Sequence, residues 1–322
     1  MSNFFRKFAV LKAKQAILLK NMGLHDYSHV ITETVNRLSE RASYQGLCHQ
    51  HRDGAPFPSG EVLSEIIMLA RAILFPGFFG KSIINTTTIG YHLGVNTERL
   101  FELLYEQILA GLCFDCDCNE TAPRDVEQMR KDACDKAAAF IAYLPELRAI
   151  LATDVAAAFY NDPAAHSQAE VIFCYPGLRA ISNHRIAHKL LELEVPLIPR
   201  IISEMAHSET GIDIHPAARI GLSFTIDHGT GVVIGATAII GNNVTLYQGV
   251  TLGARNFPLD EHGNPIKGVE RHPIIGDDVI IYSNATILGR IRIGNGAVIG
   301  GNLWVTQDVP AGARVQQSKP QK

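Results

Sequence analysis

The sequence predicts an α+β protein in which an N-terminal helical bundle is followed by a parallel β-helix of six-residue repeats. Three patterns support this: helical apolar spacing early in the chain, a six-residue aliphatic period late, and uneven glycine usage. Residues 211–322 contain 17 of the 27 glycines, whereas residues 1–210 contain ten. A shift of this size indicates two architectures, and 322 residues can bury two cores.

Apolar residues in the first two thirds recur at intervals of three and four, as in amphipathic helices. The clearest runs lie within residues 63–74 and 100–108, and a further run begins at Phe4. The Asn96-Thr97-Glu98 sequence is typical of a helix N-terminus and predicts a helix start there. Later helices are expected over residues 125–144, 145–160, 175–193 and 199–207.

Aliphatic residues recur at every sixth position in the last third, with a slip before Ile234 and an interruption before Ile275. They are Ile214, Ile220, Ile226, Ile234, Ile240, Leu246, Leu252, Ile275, Ile281, Ile287, Ile293, Ile299 and Val305. A fixed six-residue period is typical of a parallel β-helix, because each hexad forms one short strand and one corner. Three hexads make a triangular coil, so thirteen predict slightly more than four coils with the aliphatic side chains inside. A β-sandwich would instead require alternation with a period of two.

Glycine often follows the repeated aliphatic residue, and we expect these glycines and nearby asparagines to form corners with unusual backbone angles. Residues 254–274 leave the repeat and form an excursion loop. Loops that protrude from a rigid scaffold commonly carry function.

The composition limits the possible partners. There are 29 Lys and Arg against 32 Asp and Glu, giving a net charge of −3 without a basic block, which argues against nucleic-acid or anionic-membrane binding. Charged residues make up only 19%, which favours burial of surface in an oligomer. No apolar run approaches the length of a membrane span, and the N-terminal apolar stretch contains Lys and Arg. We therefore expect a cytoplasmic protein.

The six cysteines all lie within the first 174 residues and are interpreted as free thiols. Cys113, Cys116 and Cys118, together with Cys48, His49 and His51, could instead bind zinc. Their spacing matches no standard ligand set, and small buried thiols are common in helical cores. We therefore expect no metal and leave the zinc site as the alternative.

Ionisable residues cluster around the repeat, in the sequences Asp213-Ile214-His215-Pro216, Asp227-His228-Gly229 and Glu270-Arg271-His272-Pro273. The stretch 213–254, with the later Glu-Arg-His-Pro sequence, closely resembles the serine O-acetyltransferase family. Upstream, Asn161-Asp162-Pro163-Ala164 and the segment 175–188 also resemble that family. The resemblance covers roughly residues 150–312.

The resemblance implies a left-handed parallel β-helix that trimerises, with active sites between neighbouring subunits. It also implies transfer of an acetyl group from acetyl-CoA to the hydroxyl of L-serine, the first step of cysteine biosynthesis. His228 matches the family's general base, which a serine hydroxyl needs as it attacks a thioester. Asp213 matches the carboxylate that orients this imidazole.

The same resemblance assigns substrate-binding residues. Asp162 and Asp227 match carboxylates that face the substrate, where they would attract its ammonium group. Arg271 and His272 match a basic pair on the loop, and the arginine fork suits a carboxylate. The motifs align four further residues with the family's coenzyme A site: Gly253, Ala254, Ser283 and Gly301. Each aspartate taken alone could equally be a corner residue that bonds its own backbone.

The sequence patterns and the resemblance together predict four parts of the chain. Residues 1–140 are a helical extension and residues 141–211 correspond to the family's N-terminal helical region. Residues 212–310 form the catalytic β-helix with its excursion loop 254–274, and residues 311–322 are a C-terminal tail.

The resemblance also bears on partners. L-cysteine is expected as a feedback inhibitor in the serine site, and the assembly is a homotrimer or a dimer of trimers. Many family members end in an isoleucine that inserts into O-acetylserine sulfhydrylase, whereas residues 317–322 read Gln-Ser-Lys-Pro-Gln-Lys. We therefore do not expect a tight complex with that enzyme.

Three other functions remain as alternatives. A related acetyltransferase for a sugar, homoserine or an amine would share the scaffold and the base. A γ-type carbonic anhydrase would need three zinc-binding histidines, for which His215, His228 and His272 are the candidates. A non-catalytic trimeric scaffold would need neither the base nor the substrate charges.

Overall fold

A computed structural model describes residues 27–47, 57–80, 83–118, 125–256 and 258–317. The chain forms two compact units, residues 1–53 and 54–322. The described part of the first unit contains two exposed helices, α1 (Ser28–Leu38) and α2 (Arg41–Tyr44). The run that begins at Phe4 and the candidate ligands Cys48, His49 and His51 lie outside the described residues.

Six further helices occur in the described part of the second unit. They are α3 (Gly60–Leu74), α4 (Ile89–Cys118), α5 (Val126–Asn161), α6 (Gln168–Cys174), α7 (Pro176–Glu192) and α8 (Ile198–Thr210). Their buried faces carry the predicted apolar spacing, as in α3, where Leu63, Ile66, Ile67 and Ala70 are at most 4% exposed. The predicted helical region is therefore confirmed. Within the described residues, no helix combines the length and apolarity that crossing a membrane requires.

Two predicted helix boundaries are wrong. Helix α4 begins at Ile89 instead of Asn96, because the Asn85 side chain accepts the N–H groups of Thr87 and Thr88 at 3.0 Å just before the helix. Helix α5 is continuous through Pro145, where two helices were expected. The proline removes one backbone bond, but Leu144 and Leu147 on either side are buried in the core. The proposed division after residue 140 falls inside this helix.

The last third forms three parallel sheets in which successive strands pass from sheet to sheet. Sheet A has the order β1-β4-β7-β10-β13, sheet B has β11-β8-β5-β2, and sheet C has β14-β12-β9-β6-β3. The strands are β1 (Asp213–Ile214), β2 (Arg219–Ile220), β3 (Thr225–Asp227), β4 (Val233–Ile234), β5 (Ile239–Ile240), β6 (Thr245–Tyr247), β7 (Thr251–Gly253), β8 (Ile274–Ile275), β9 (Ile280–Ile281), β10 (Thr286–Leu288), β11 (Arg292–Ile293), β12 (Val298–Ile299), β13 (Trp304–Val305) and β14 (Arg314–Val315).

The predicted repeat is confirmed. Each of the thirteen repeated aliphatic residues lies on one of the strands β1–β13, and all except the half-buried Ile220 are at most 8% exposed. Strand β14 pairs with β12 and lies beyond residue 310, where the sequence placed the end of the repeat. The β-helix therefore extends to about five coils.

The corners show two different uses of small residues. Asn243, Asn284 and Asn302 adopt the expected left-handed conformation, with φ of 54–59°. Gly241 and Gly276, which follow aliphatic residues, do not have positive φ. A Cβ at these two positions would lie 2.5 and 2.2 Å from side-chain oxygens of the next coil. For these glycines the expected cause was wrong, because it is close packing of coils that excludes a side chain.

The helices are fixed to the first coil by a buried ion pair. Arg185 on α7 donates to both carboxylate oxygens of Asp154 on α5, at 2.7 and 2.9 Å. The same guanidinium donates to the carbonyls of Ile220 and Gly221, and Asp154 accepts the N–H of Phe224. These contacts place the end of α5 and the start of α7 against the β-helix.

Candidate active site

The first group of predicted site residues lies at the corner where sheet C passes into sheet A, which we call the CA corner. Asp227 ends β3 and His228 follows it, while Asp162 caps the C-terminus of α5. The Tyr175 hydroxyl donates to Asp162 Oδ2 at 2.5 Å. The end of α5, the start of α7 and the corner therefore bring Asp162, Asp227 and His228 close together.

His228 is held in a conformation that exposes its ring. Its φ is 56°, in the left-handed region that non-glycine residues seldom adopt. The side chain is 72% exposed, and Nδ1 lies 3.6 Å from Asp227 Oδ1. An imidazole presented in this way beside a carboxylate can take up a proton from a bound hydroxyl group.

The groups around Asp162 keep its carboxylate charged. The hydrogen bond from Tyr175, the N–H of Ala164 and the nearby His228 lower the pKa of Asp162 below its usual value. The same hydrogen bond raises the pKa of the Tyr175 hydroxyl, so that Tyr175 remains a donor. Asp162 is thus an anionic group available to a cationic ligand.

The second group lies at the corner where sheet A passes into sheet B, the AB corner. His272 packs its ring over Gly235, where an added Cβ would lie 2.1 Å from the imidazole. The Thr237 hydroxyl accepts the N–H groups of Arg271 and His272 at 2.9 and 3.1 Å. Arg290 donates to the carbonyls of Thr237 and His272 and to Glu270. These bonds fix the end of the excursion loop on the scaffold.

His272 is neutral at physiological pH. Burial, together with the positive charges of Arg271 and Arg290, lowers its pKa to about 4. The ring Nδ1 accepts the N–H of Thr237 at 3.1 Å, which leaves the proton on Nε2. The expectation of a basic pair is therefore wrong for His272, and the positive charge belongs to Arg271.

Asp213 belongs to neither of these two groups within the single chain. It forms no hydrogen bond or ion pair with His228, and both residues are within the described part of the chain. Its carboxylate lies beside α8, where oxygens of Asp213 and Glu204 and a ring nitrogen of His207 are within 4.8 Å of one another. Arg200 already pairs with Glu204 at 2.5 Å.

The four candidate coenzyme A residues divide between the same two corners. Gly253 ends β7 and Ala254 follows it at the AB corner, one coil beyond Gly235. Ser283 and Gly301 occupy successive coils of the CA corner, and a Cβ on Gly301 would lie 3.0 Å from the Ser283 carbonyl oxygen. Adjacent coils are separated by about 4.8 Å, so at the CA corner Ser283 and Gly301 lie beyond Asp227 and His228. At the AB corner, both candidate pairs belong to the segment between β7 and β8, because Gly253 and Ala254 precede the excursion loop that Arg271 and His272 end.

The described residues include some of the candidates for the alternative metal sites. His228 lies at the CA corner, whereas His272 lies at the AB corner and uses Nδ1 to bind Thr237. The third candidate, His215, accepts the N–H of Ala217 on Nδ1. Cys113 is a buried free thiol, and the side chains of Cys116 and Cys118 are outside the described residues.

Three residues of the site were not singled out as functional from the sequence. Tyr175 belongs to the Tyr-Pro-Gly segment that carried the upstream resemblance. The proline of this segment starts α7 and therefore marks the position of Tyr175 in the sequence. Thr237 and Arg290 act through backbone contacts with the loop, and no local sequence pattern indicates such contacts.

Comparisons with known proteins agree with this geometry. A family model described as bacterial transferase hexapeptide (six repeats) matches residues 272–307. A Synechococcus elongatus protein named serine acetyltransferase, plasmid, is 49% identical over 264 residues, which cover 82% of this chain and 83% of the relative. This alignment is longer than the range 150–312, so the similarity extends into the N-terminal helices.

Two solved structures are also similar. Entamoeba histolytica serine acetyltransferase 1 in complex with L-cysteine has a TM-score of 0.67 and 35% identity, covering 84% of this chain and 91% of that one. Soybean serine acetyltransferase complexed with serine has a TM-score of 0.50 and 32% identity, covering 81% and 96%.

The repeat, the corners and these similarities define a hexapeptide-repeat acyltransferase. The chain belongs to the serine acetyltransferase family, because it shares 49% identity with a relative over most of both chains.

Proposed function

We propose that this enzyme transfers the acetyl group of acetyl-CoA to the hydroxyl of L-serine, with His228 as the general base. The observation that supports the proposal is the arrangement of the CA corner. Asp162, Asp227 and His228 lie together at its first coil, and Ser283 and Gly301 lie on later coils of the same corner. At the AB corner, Arg271 and His272 end the excursion loop that follows Gly253. A cytoplasmic location remains part of the proposal.

The active site is proposed to lie between two subunits of a trimer of left-handed β-helices. One chain supplies His228 and its carboxylates from the CA corner, and its neighbour supplies Arg271 and His272 from the AB corner. Asp213 is proposed to orient an imidazole across the same interface, because within one chain its carboxylate faces α8. Pairing of two trimers through the N-terminal helices is the alternative assembly.

The proton follows a short path in the proposed reaction. His228 accepts the serine hydroxyl proton as the oxygen attacks the thioester carbon, which produces a tetrahedral oxyanion. The C–S bond then breaks, and the imidazolium returns the proton to the coenzyme A thiolate. General base catalysis of this kind contributes about 10²–10⁴-fold.

Recognition of serine is proposed to depend on its two charges. Asp162 and Asp227 attract the ammonium group, and Arg271 binds the carboxylate. His272 contributes a neutral Nε2–H donor, since its Nδ1 is occupied by Thr237. L-cysteine has the same backbone charges, so we propose that it inhibits by occupying the serine site. Inhibition that is noncompetitive with serine would contradict this assignment.

The activity can be tested by measuring thiol release from acetyl-CoA with serine, homoserine and a panel of sugars. We expect turnover with L-serine, because both of its charged groups have partners. A preference for a sugar acceptor would instead indicate the related acetyltransferase, and thiol release with no acceptor would contradict the proposal.

Mixed trimers test the shared site. A 1:1 mixture of His228→Ala and Arg271→Ala chains, refolded together, should regain about a quarter of wild-type activity, because random assembly restores that share of interfaces. The matched control mixes His228→Ala with Asp162→Asn. Both changes affect the CA corner, so every interface carries a defect and activity should not return. Equal recovery in the two mixtures would exclude a site shared in this way.

Tyr175→Phe tests the orientation of Asp162. Loss of a hydrogen bond to a charged group costs about 1.5 kcal/mol, so the KM for serine should rise roughly tenfold. The KM for acetyl-CoA should stay unchanged, because the coenzyme A candidates lie several coils away. Tyr160→Phe is the matched control, as Tyr160 is 77% exposed. An unchanged KM for serine in Tyr175→Phe would show that the hydrogen bond does not serve binding.

A further inference from the structure

Two tyrosine rings stack on the outer face of sheet C. Leu246 and Ile281 pair in the register of β6 and β9, and both are fully buried inside the coils. Successive residues of a strand point to opposite faces, so Tyr247 and Tyr282, which follow them, point outward on neighbouring coils. Their ring centroids are 5.1 Å apart and the ring planes differ by 19°. We call Tyr247 and Tyr282 the tyrosine pair.

The tyrosine pair lies between the residues proposed to bind serine and those proposed to bind coenzyme A. Tyr247 pairs with Asp227 in the register of β3 and β6. Burial and the nearby carboxylates of Asp227 and Asp162 raise the pKa of the Tyr247 hydroxyl. On the other side, Tyr282 directly precedes Ser283. The line from Ser283 to Asp227 along this face therefore passes the two rings.

The helices cover only one end of this face. Thr225 and Thr245, which point outward on the first two coils, are 6% and 8% exposed. Asn161 at the end of α5 donates to the Thr245 hydroxyl at 3.2 Å. Tyr247 is half-buried beside this contact, whereas Tyr282 on the next coil is 42% exposed. The tyrosine pair thus consists of one supported ring and one open ring.

An open aromatic ring at this position fits one part of acetyl-CoA. The pantetheine arm, which joins the thioester to the nucleotide, is an uncharged chain of methylene and amide groups. An aromatic face offers such a chain a large apolar contact area. The nucleotide carries phosphates, which cationic side chains bind, and neither member of the tyrosine pair is a cation. The ring therefore suits the arm better than the nucleotide.

We infer that the exposed face of Tyr282 packs against the pantetheine arm of acetyl-CoA, while Tyr247 supports the ring from the adjacent coil. The inference rests on the proposed function, because it takes the positions of serine and coenzyme A from that function. In this arrangement the tyrosine pair directs the thioester toward the serine hydroxyl near His228. It takes no part in proton transfer.

Kinetics of Tyr282→Ala test this contact. We expect the KM for acetyl-CoA to rise about tenfold, the size expected for loss of one aromatic contact. The KM for serine and kcat should stay within about threefold of wild type. Tyr282→Phe keeps the ring and should have wild-type KM values, and an equal rise in this variant would contradict packing by the ring. Tyr91→Ala on α4 is the matched control, because Tyr91 is 78% exposed.

Pantetheine distinguishes the arm from the nucleotide. It contains the arm and its thiol but no nucleotide, so it should inhibit wild type competitively with acetyl-CoA. Its inhibition constant should rise in Tyr282→Ala by the same factor as the KM for acetyl-CoA. Failure of pantetheine to compete, or an inhibition constant that the substitution leaves unchanged, would overturn the assignment to the arm.

The outcomes separate this inference from the proposed function. Absence of serine acetylation by the wild-type enzyme would overturn the function, and calorimetric titration with coenzyme A would still test the ring. Coenzyme A should bind Tyr282→Ala about tenfold more weakly than wild type, and equal affinities would overturn the inference. A Tyr282→Ala chain that unfolds, or whose assembly differs from wild type in sedimentation velocity, would also overturn it, by assigning the ring to the fold or to a subunit contact.

Discussion

Replacement of His228 by asparagine is expected to lower kcat for serine acetylation by about 10²–10⁴-fold, the usual contribution of a general base. Asparagine is polar and favours the left-handed conformation that His228 adopts at φ 56°. The substitution therefore removes the base without straining the corner. Rates of thiol release at saturating serine and acetyl-CoA measure the effect.

The control for this change is His262→Asn, since His262 is 76% exposed on the excursion loop. The kcat of the His262→Asn enzyme should equal that of wild type. A His228→Asn enzyme with kcat within tenfold of wild type would assign the base to another group.

The β-helix was predictable because its repeat is local. A hexad encodes one strand and one corner, so the positions from Ile214 to Val305 could be assigned an inward direction without knowledge of distant contacts. The excursion loop was predictable for the same reason, because it interrupts the six-residue period of aliphatic residues. The role of Gly241 was not predictable, because it depends on an Asp277 oxygen supplied by the next coil.

The site was only partly predictable from motifs. The sequences around Asp227 and Arg271 identified residues with complementary charges, but a motif does not state which corner a residue occupies. Only the coil geometry assigns His228 and His272 to different corners. The neutral state of His272 likewise depends on its burial and on Arg271 and Arg290. The contacts of Thr237 and Arg290 with the loop required the three-dimensional structure.

The boundaries of the helices were the feature that the sequence predicted least well. The Asn96-Thr97-Glu98 sequence is typical of a helix N-terminus yet lies inside α4, because Asn85 caps the helix at an earlier position. Proline normally ends a helix, yet Pro145 lies within α5, where buried apolar residues on both sides maintain the helix. The first case depends on a local contact of Asn85 with Thr87 and Thr88, whereas the second depends on tertiary packing, which is not encoded locally.

Arg185→Met is expected to cost about 3–5 kcal/mol of folding stability, because removing one partner leaves the buried Asp154 charge uncompensated. The Asp154 side chain is fully buried and that of Arg185 is 8% exposed. Methionine retains most of the volume and the helix propensity of arginine, so the loss reports the missing charge and hydrogen bonds. Denaturant midpoints at a fixed chain concentration measure the change, since assembly contributes to stability.

Arg99→Met is the matched control, because Arg99 forms exposed ion pairs with Glu65 and Glu102. Exposed ion pairs contribute little to folding stability, so this midpoint should barely move. The buried pair also holds α5 eight residues before Asp162 and α7 ten residues after Tyr175. A folded fraction of Arg185→Met should therefore bind serine more weakly than wild type while its KM for acetyl-CoA stays unchanged. Equal midpoints for the two variants would mean that the ion pair does not hold these helices on the β-helix.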